Sequence, residues 1–205
     1  MNHLLVCVIS LFGSQVVFEK TVSGNEPEII VDTSDVAGHI QVLADDAFEG
    51  REGGRRGGRA AGSYIEQEVI PFGLTPAGVE GSCFQAFPTR FGTIRNILFM
   101  VPGSDPVLKN DVVVIGAHYD HLGVNDEGEF YPGADDNASG VSVLIEVAAK
   151  LARAFTPQRP ILFVAFSGEE QGLLGSQHFV ENPPGGFVTE DLFAMINLDA
   201  VGRLN

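Results

Sequence analysis

Four short apolar runs limit the architectures open to this chain more than any other feature. NILFMV (96–101), DVVVIGA (111–117), PILFVAF (160–166) and FAMINL (193–198) are almost continuous in Val, Ile, Leu, Phe, Met and Ala. A strand with one wet face alternates polar and apolar side chains; an unbroken apolar run suits a strand buried on both faces. Between the second and third runs lies VSVLIEVAAKLARAF, whose Val141, Leu144, Ile145, Ala148, Leu151 and Phe155 recur at helical spacing. That segment stops before Thr156-Pro157, where a helix should end. The pattern from Gly172 to Val180 predicts another helix. Alternating strands and helices predict an α/β fold, with a mixed, mostly parallel sheet flanked by helices.

The first half of the chain differs in character. Helical spacing begins near Ser34, with Val36, Ile40 and Leu43 on one face and Asp35 near the start. A second helical pattern runs from about Arg59 to Ile70 and ends before Pro71 and Gly73. PFGLTPAGVEGSCFQAFP then reads as irregular, with turn residues around aromatic anchors. Three regions follow: an apolar start or signal peptide over 1–20, an N-terminal helical arm and irregular segment over 21–94, and the sheet-bearing domain over 95–205.

Composition excludes some roles. A formal net charge of -15, from 27 acidic and 12 basic residues, argues against nucleic acid as a partner, because phosphate binding needs a basic face. Four of the basic residues, Arg51, Arg55, Arg56 and Arg59, cluster in EGREGGRRGGR, which reads as a solvated, Gly-rich loop. LLVCVISLF (4–12) is too short to span a bilayer, and no other run comes near that length, so no integral membrane segment is expected. It has the length of a signal-peptide core, although no Lys or Arg precedes it and no Ala-x-Ala follows. A first strand is the rival reading; export to a secreted or periplasmic location is preferred. Cys7 and Cys83 do not make a disulfide framework.

Polar residues gather at the ends of the apolar runs. His118-Tyr119-Asp120 follows VVVIGA, Glu169-Glu170 follows VAFSG, Asp199 follows MINL, and Asp135-Asp136 in GADDNASG precede the long helix. In an open α/β sheet, the carboxyl edge of the strands is where ligands bind. Each residue alone has a structural explanation, such as a helix cap or a turn. Together, carboxylates at one rim repel one another unless a cation neutralises them. Imidazole plus carboxylate without thiolate suits zinc, or manganese or cobalt. One carboxylate can bridge two ions roughly 3.5–4 Å apart. Asp120, two residues beyond His118, is spaced to orient its ring.

AHYDHLG, GADDNASGV, FSGEEQGLLGS and INLDAVGR, in this order, resemble the co-catalytic zinc aminopeptidase family, which includes bacterial leucyl aminopeptidases and glutamate carboxypeptidase-like peptidases. The resemblance spans Arg95 to Arg203, and LADDAFEGREGG resembles the arm before the catalytic domain in bacterial members. It implies a zinc-exopeptidase-like fold, two Zn2+ ions, a peptide substrate and release of N-terminal amino acids. His118, Asp136 and Asp199 would hold the first zinc, with Asp120 orienting His118. Asp136, directly before Asn-x-Ser-Gly, would bridge to a second zinc held by Glu170; Asp135 is its neighbour, and Glu169 would be the general base. The family pattern adds a His downstream of the Asp199 position. These 205 residues contain none there, since His178 precedes Asp199, so a C-terminally truncated member is expected. A metal-binding remnant without catalysis, or a single-zinc glutaminyl-cyclase-like enzyme, is the alternative. The intact Gly-Glu-Glu and Asp136 weigh against the cyclase.

Overall fold

Seven strands form one mixed sheet in the computed structural model of the chain, which describes residues 5–8, 32–154 and 156–203. They are β1 (Leu5–Val8), β2 (Thr75–Pro76), β3 (Phe84–Thr89), β4 (Gly92–Val101), β5 (Val112–His118), β6 (Ile161–Phe166) and β7 (Leu192–Asn197). Their order is β1-β7-β5-β6-β4-β2, with β3 also paired to β4. Every pairing among β1, β7, β5 and β6 is parallel, while β4 runs antiparallel to β6, β2 and β3. The register sets His118 opposite Phe166 and Gly116 opposite Asn197, so β5, β6 and β7 end at a common rim.

Burial on both faces explains the unbroken apolar runs. Ile97, Phe99, Phe163 and Ala165 point into one core, with Leu43, Ile65 and Ile145 from the helices α1 (Thr33–Leu43), α2 (Arg56–Val69) and α3 (Gly140–Ala154). Their sequence neighbours Leu98, Leu162, Val164 and Phe166 enter a smaller core on the opposite face, capped by Phe179 of α4 (Leu174–Glu181). Each such side chain, fully buried, stabilises the fold by roughly 1.5–3 kcal/mol. In α3 every residue from Gly140 to Ala149 is buried, a wider buried surface than one amphipathic stripe.

The parts expected as irregular are more ordered than their composition suggests. FQAFPT forms β3, a strand of alternating burial in which Gln85 and Phe87 point inward, and it turns directly into β4, which begins at Gly92. Pro88 is tolerated because β3 lies at the sheet edge, where a missing N–H leaves no ladder bond broken. Helix α2 starts at Arg56, earlier than the spacing predicts, because Gly57 and Gly58 let the helix pack closely against Phe48 and Glu52. Of the apolar start, Leu5–Val8 pair along β7; the rest of 1–20, the polar stretch TVSGNEPE and Phe155 lie outside the described residues. Among the described residues no helix is long and apolar enough to cross a membrane.

Candidate metal centre

His118 ends β5, and its ring is buried with Nε2 facing the rim. That nitrogen lies 3.1 Å from Asp136 Oδ1 and 3.5 Å from Asp199 Oδ1. Asp136 sits in the turn Ala134–Ser139 before α3, and Asp199 just beyond β7. One donor atom from each of these residues lies within 4.8 Å of the other two. A second group of donors meets the same limit: His121, Asp136 and Glu170, with His121 Nδ1 2.8 Å from Glu170 Oε1. Asp136 belongs to both groups. Asp135 belongs to neither; its Oδ1 accepts from the Gly202 amide at 2.9 Å and its Oδ2 pairs with Arg203 at 2.8 Å, bracing the turn that carries Asp199.

Asp120 is fully buried and acts through two different atoms. Its backbone carbonyl lies 3.2 Å from His118 Nδ1, whereas its carboxylate stands 3.8 Å away. A carbonyl only accepts, so Nδ1 carries a proton, and the neutral form of the ring presents its lone pair at Nε2. The carboxylate accepts from the Glu169 amide (3.1 Å) and the Glu170 amide (3.3 Å) and so fixes the Gly-Glu-Glu turn after β6. Asp120 thus faces His118 Nδ1 with its main-chain carbonyl and, farther off, with its carboxylate.

Two residues that hold the rim together carry no signal in the apolar pattern. Asn137, fully buried, donates to the carbonyls of His118 (3.2 Å) and Leu198 (2.9 Å) and accepts from the amides of Gly140 (3.0 Å) and Ala200 (3.2 Å). It therefore joins the ends of β5 and β7 to the start of α3. Arg51 corrects the expectation of a solvated loop: it is 1% exposed, while Arg55, Arg56 and Arg59 are exposed. Its guanidinium donates to the carbonyls of Tyr119 (3.0 Å), Leu43 (2.6 Å), Pro132 (2.8 Å) and Gly133 (2.8 Å). A planar fork of donors can serve several carbonyls at once, which is why burial is affordable for this arginine. Gly133, at φ +58°, must lack a side chain, since a Cβ there would come within 2.5 Å of Arg51 Nη2 and His121 Cδ2.

The charges around the rim favour a cation. Burial pulls the His118 pKa down, but the hydrogen bond and charge of Asp120, with Asp199 and Glu169, outweigh it and carry the pKa from 6.5 to about 9. Glu169 joins neither donor group; burial, then the neighbouring Glu170, Asp120 and Asp199, raise its pKa against the pull of His118. Burial lowers the Arg51 pKa to about 10 despite the nearby carboxylates of Asp120, Asp136 and Glu170. The donors are imidazole nitrogens and carboxylate oxygens converging on small spaces, with no thiolate among them, and that set fits zinc.

Residues 96–205, which carry all the donors above, match Peptidase family M28. The chain belongs to this family. A "probable zinc metalloprotease" of Pyrenophora teres f. teres is 47% identical over 119 residues, 57% of this chain and 24% of that protein. A "probable leucine aminopeptidase" of Trichophyton verrucosum is 29% identical across 98% of this chain and 57% of its own length. Among solved structures, a Zn-dependent exopeptidase from Parabacteroides distasonis superposes with a TM-score of 0.66 at 23% identity, covering 85% of this chain and 63% of that one. Glutaminyl cyclase of Porphyromonas gingivalis gives 0.62 at 26%, covering 84% of this chain and 60% of its own. The chain spans less than two thirds of each of these proteins. Arg51 lies outside the matched family segment.

Proposed function

We propose that this protein is a zinc-dependent exopeptidase that releases N-terminal amino acids from peptides. The observation that carries the reading is the sharing of Asp136 between His118 and Asp199 on one side and Glu170 on the other. His118 Nε2, Asp136 and Asp199 would hold one zinc ion, and Asp136 with Glu170 a second. Zinc held there supplies Lewis acidity, acidifying a water and polarising a scissile carbonyl. Glu169 is the general base: its carboxylate takes a proton from the attacking water and returns it to the leaving amine. Its raised pKa suits that shuttle, because a base closer to the working pH also serves as the returning acid. Asp120 keeps the His118 proton on Nδ1 and holds the Glu169 main chain in place. The names of the relatives and the family membership support hydrolysis of a peptide bond.

Cyclisation of N-terminal glutamine is the second reading, favoured by the similarity to the Porphyromonas gingivalis enzyme. One experiment separates the two. Full-length protein with zinc is incubated with leucyl-p-nitroanilide and with a peptide that begins with Gln, and products are read by absorbance and mass. Cleavage that chelation abolishes, and that Glu169→Gln lowers by about 10²–10⁴-fold, is expected. Loss of ammonia from the Gln peptide without any cleavage would replace this reading with the cyclase.

A further inference from the structure

A groove begins beside the Glu169 turn and follows one face of α4, and no residue that lines it enters the scheme above. We propose that this groove holds the leaving segment of the peptide substrate and favours an aromatic or large apolar side chain on it; this rests on the peptidase reading. The strand register places the groove. β4 starts at Gly92 and runs antiparallel to β6, with Ile97 opposite Ala165, so the turn between β3 and β4 reaches past the end of β6 beside Gly-Glu-Glu. Pro88 and Phe91 of that hairpin form one wall, and Leu174, His178 and Glu181 of α4 form the other. Gln171, two residues beyond Glu169, closes the end at the rim, where its Nε2 donates to the Gly53 carbonyl at 3.0 Å. The walls enclose about 480 Å³, within the range of small-ligand sites.

Position and chemistry both point to this occupant. Glu169 returns its proton to the leaving amine, so the chain that carries this amine departs on the Glu169 side, where the groove begins. From Leu174 to Glu181, α4 spans about 10 Å, the length of about three extended residues. The floor is aromatic: the rings of His178 and Phe87 stack with centroids 3.9 Å apart and planes 12° apart. Burial lowers the His178 pKa against the pull of Glu181, so this ring is uncharged at neutral pH. An uncharged platform flanked by Phe91 and Leu174 suits an aromatic or apolar side chain, through stacking and through burial. The edges are polar: Glu181 Oε1 accepts from Gln177 Nε2 at 2.9 Å, and the exposed Arg90 guanidinium lies 4.6 Å above the Phe91 ring. Such edges suit a peptide main chain, whose N–H and C=O groups need hydrogen-bond partners.

The test uses full-length protein with zinc and the peptide Leu-Gly-Gly-Gly, with Phe moved through the three glycine positions. At the favoured position Phe is expected to raise kcat/KM about 10-fold or more over the all-glycine peptide. His178→Ala should remove that gain, while His178→Phe, which keeps a flat ring on Phe87, should retain it. A merely structural role would instead lower the rates of all the peptides alike and leave their ratio unchanged. Circular dichroism controls for folding. A second measurement needs no turnover. The same peptides carrying benzoylphenylalanine in place of Phe are irradiated with the protein, and cross-linked residues are located by mass. Cross-links within 87–91 or 174–181 are expected. Rates indifferent to Phe at all three positions, a gain that survives His178→Ala, or no cross-link in the groove would overturn the proposal. Cross-links in the groove of a protein that cleaves none of the peptides would refute the peptidase reading while upholding the groove as a peptide site.

Discussion

Arg51 is the residue on which the rim most depends without any donor role toward zinc. Its guanidinium gathers carbonyls from Leu43, Tyr119, Pro132 and Gly133, so it fixes the segment that runs from His118 to Asp136. Lysine carries the same charge but is a single point of donors that cannot reach all these carbonyls together. Arg51→Lys is therefore expected to lower stability by about 2–4 kcal/mol, the cost of leaving buried carbonyls unpaired. Denaturant unfolding at pH 7 measures this, and a loss below about 1 kcal/mol would mean the segment is held by other contacts. Nothing in EGREGGRRGGR distinguishes Arg51 from its exposed neighbours. Its carbonyl partners lie mostly far along the sequence, so its burial is a property of the assembled fold. The convergence of His118, Asp136 and Asp199 is legible in the sequence, because each follows or precedes an apolar element whose end the fold brings to the rim. His121 stands in AHYDHLG too, but only the folded loop brings its ring to Glu170.

Elements follow the same division. β5, β6, β7 and α3 were legible because both sheet faces are covered, which leaves a continuous apolar imprint on the chain. β3 was not, since an edge strand with Gln85 pointing inward and Pro88 near its end resembles a loop in composition. Gln85 is satisfied there by Asn96 at 2.9 Å and by the Asn182 carbonyl at 2.7 Å, partners that only the folded sheet supplies. The junction of β5, β7 and α3 rests on Asn137 in the same way. Asn137→Ala removes two donated and two accepted hydrogen bonds from a fully buried junction. We expect it to cost about 2–4 kcal/mol of stability. We also expect zinc to bind more weakly, because His118 and Asp199 then lose their common anchor. Parallel measurements of unfolding and zinc competition test both halves. Unchanged zinc affinity in a destabilised but folded variant would show that the strand ends keep their register unaided.

At the scale of the whole molecule, the rim concentrates negative charge in a chain whose formal net charge is already -15. Without metal, the imidazole of His118 answers that charge by holding a proton. Its folded pKa of about 9 exceeds the ordinary 6.5, so its stabilisation is complete below pH 6.5 and is lost as pH rises through about 9. Chelated protein should therefore lose up to about 1.4 kcal/mol per pH unit across that window from this one group. Zinc requires the unprotonated Nε2 and so displaces the proton. With Nε2 bound to zinc the folded ring cannot take a second proton, and the unfolded imidazole is mostly neutral above its ordinary pKa of 6.5, so the zinc-bound protein's stability should be nearly flat at higher pH. The gap between the two forms is thus expected to widen with pH, even though the metal-free protein itself grows weaker. Unfolding by denaturant at pH 6.5, 7.5 and 8.5, with zinc and with chelator, measures the gap, and His118→Gln should remove the slope from the chelated protein. Parallel curves for the two forms would mean that the proton on His118 is not what the metal replaces.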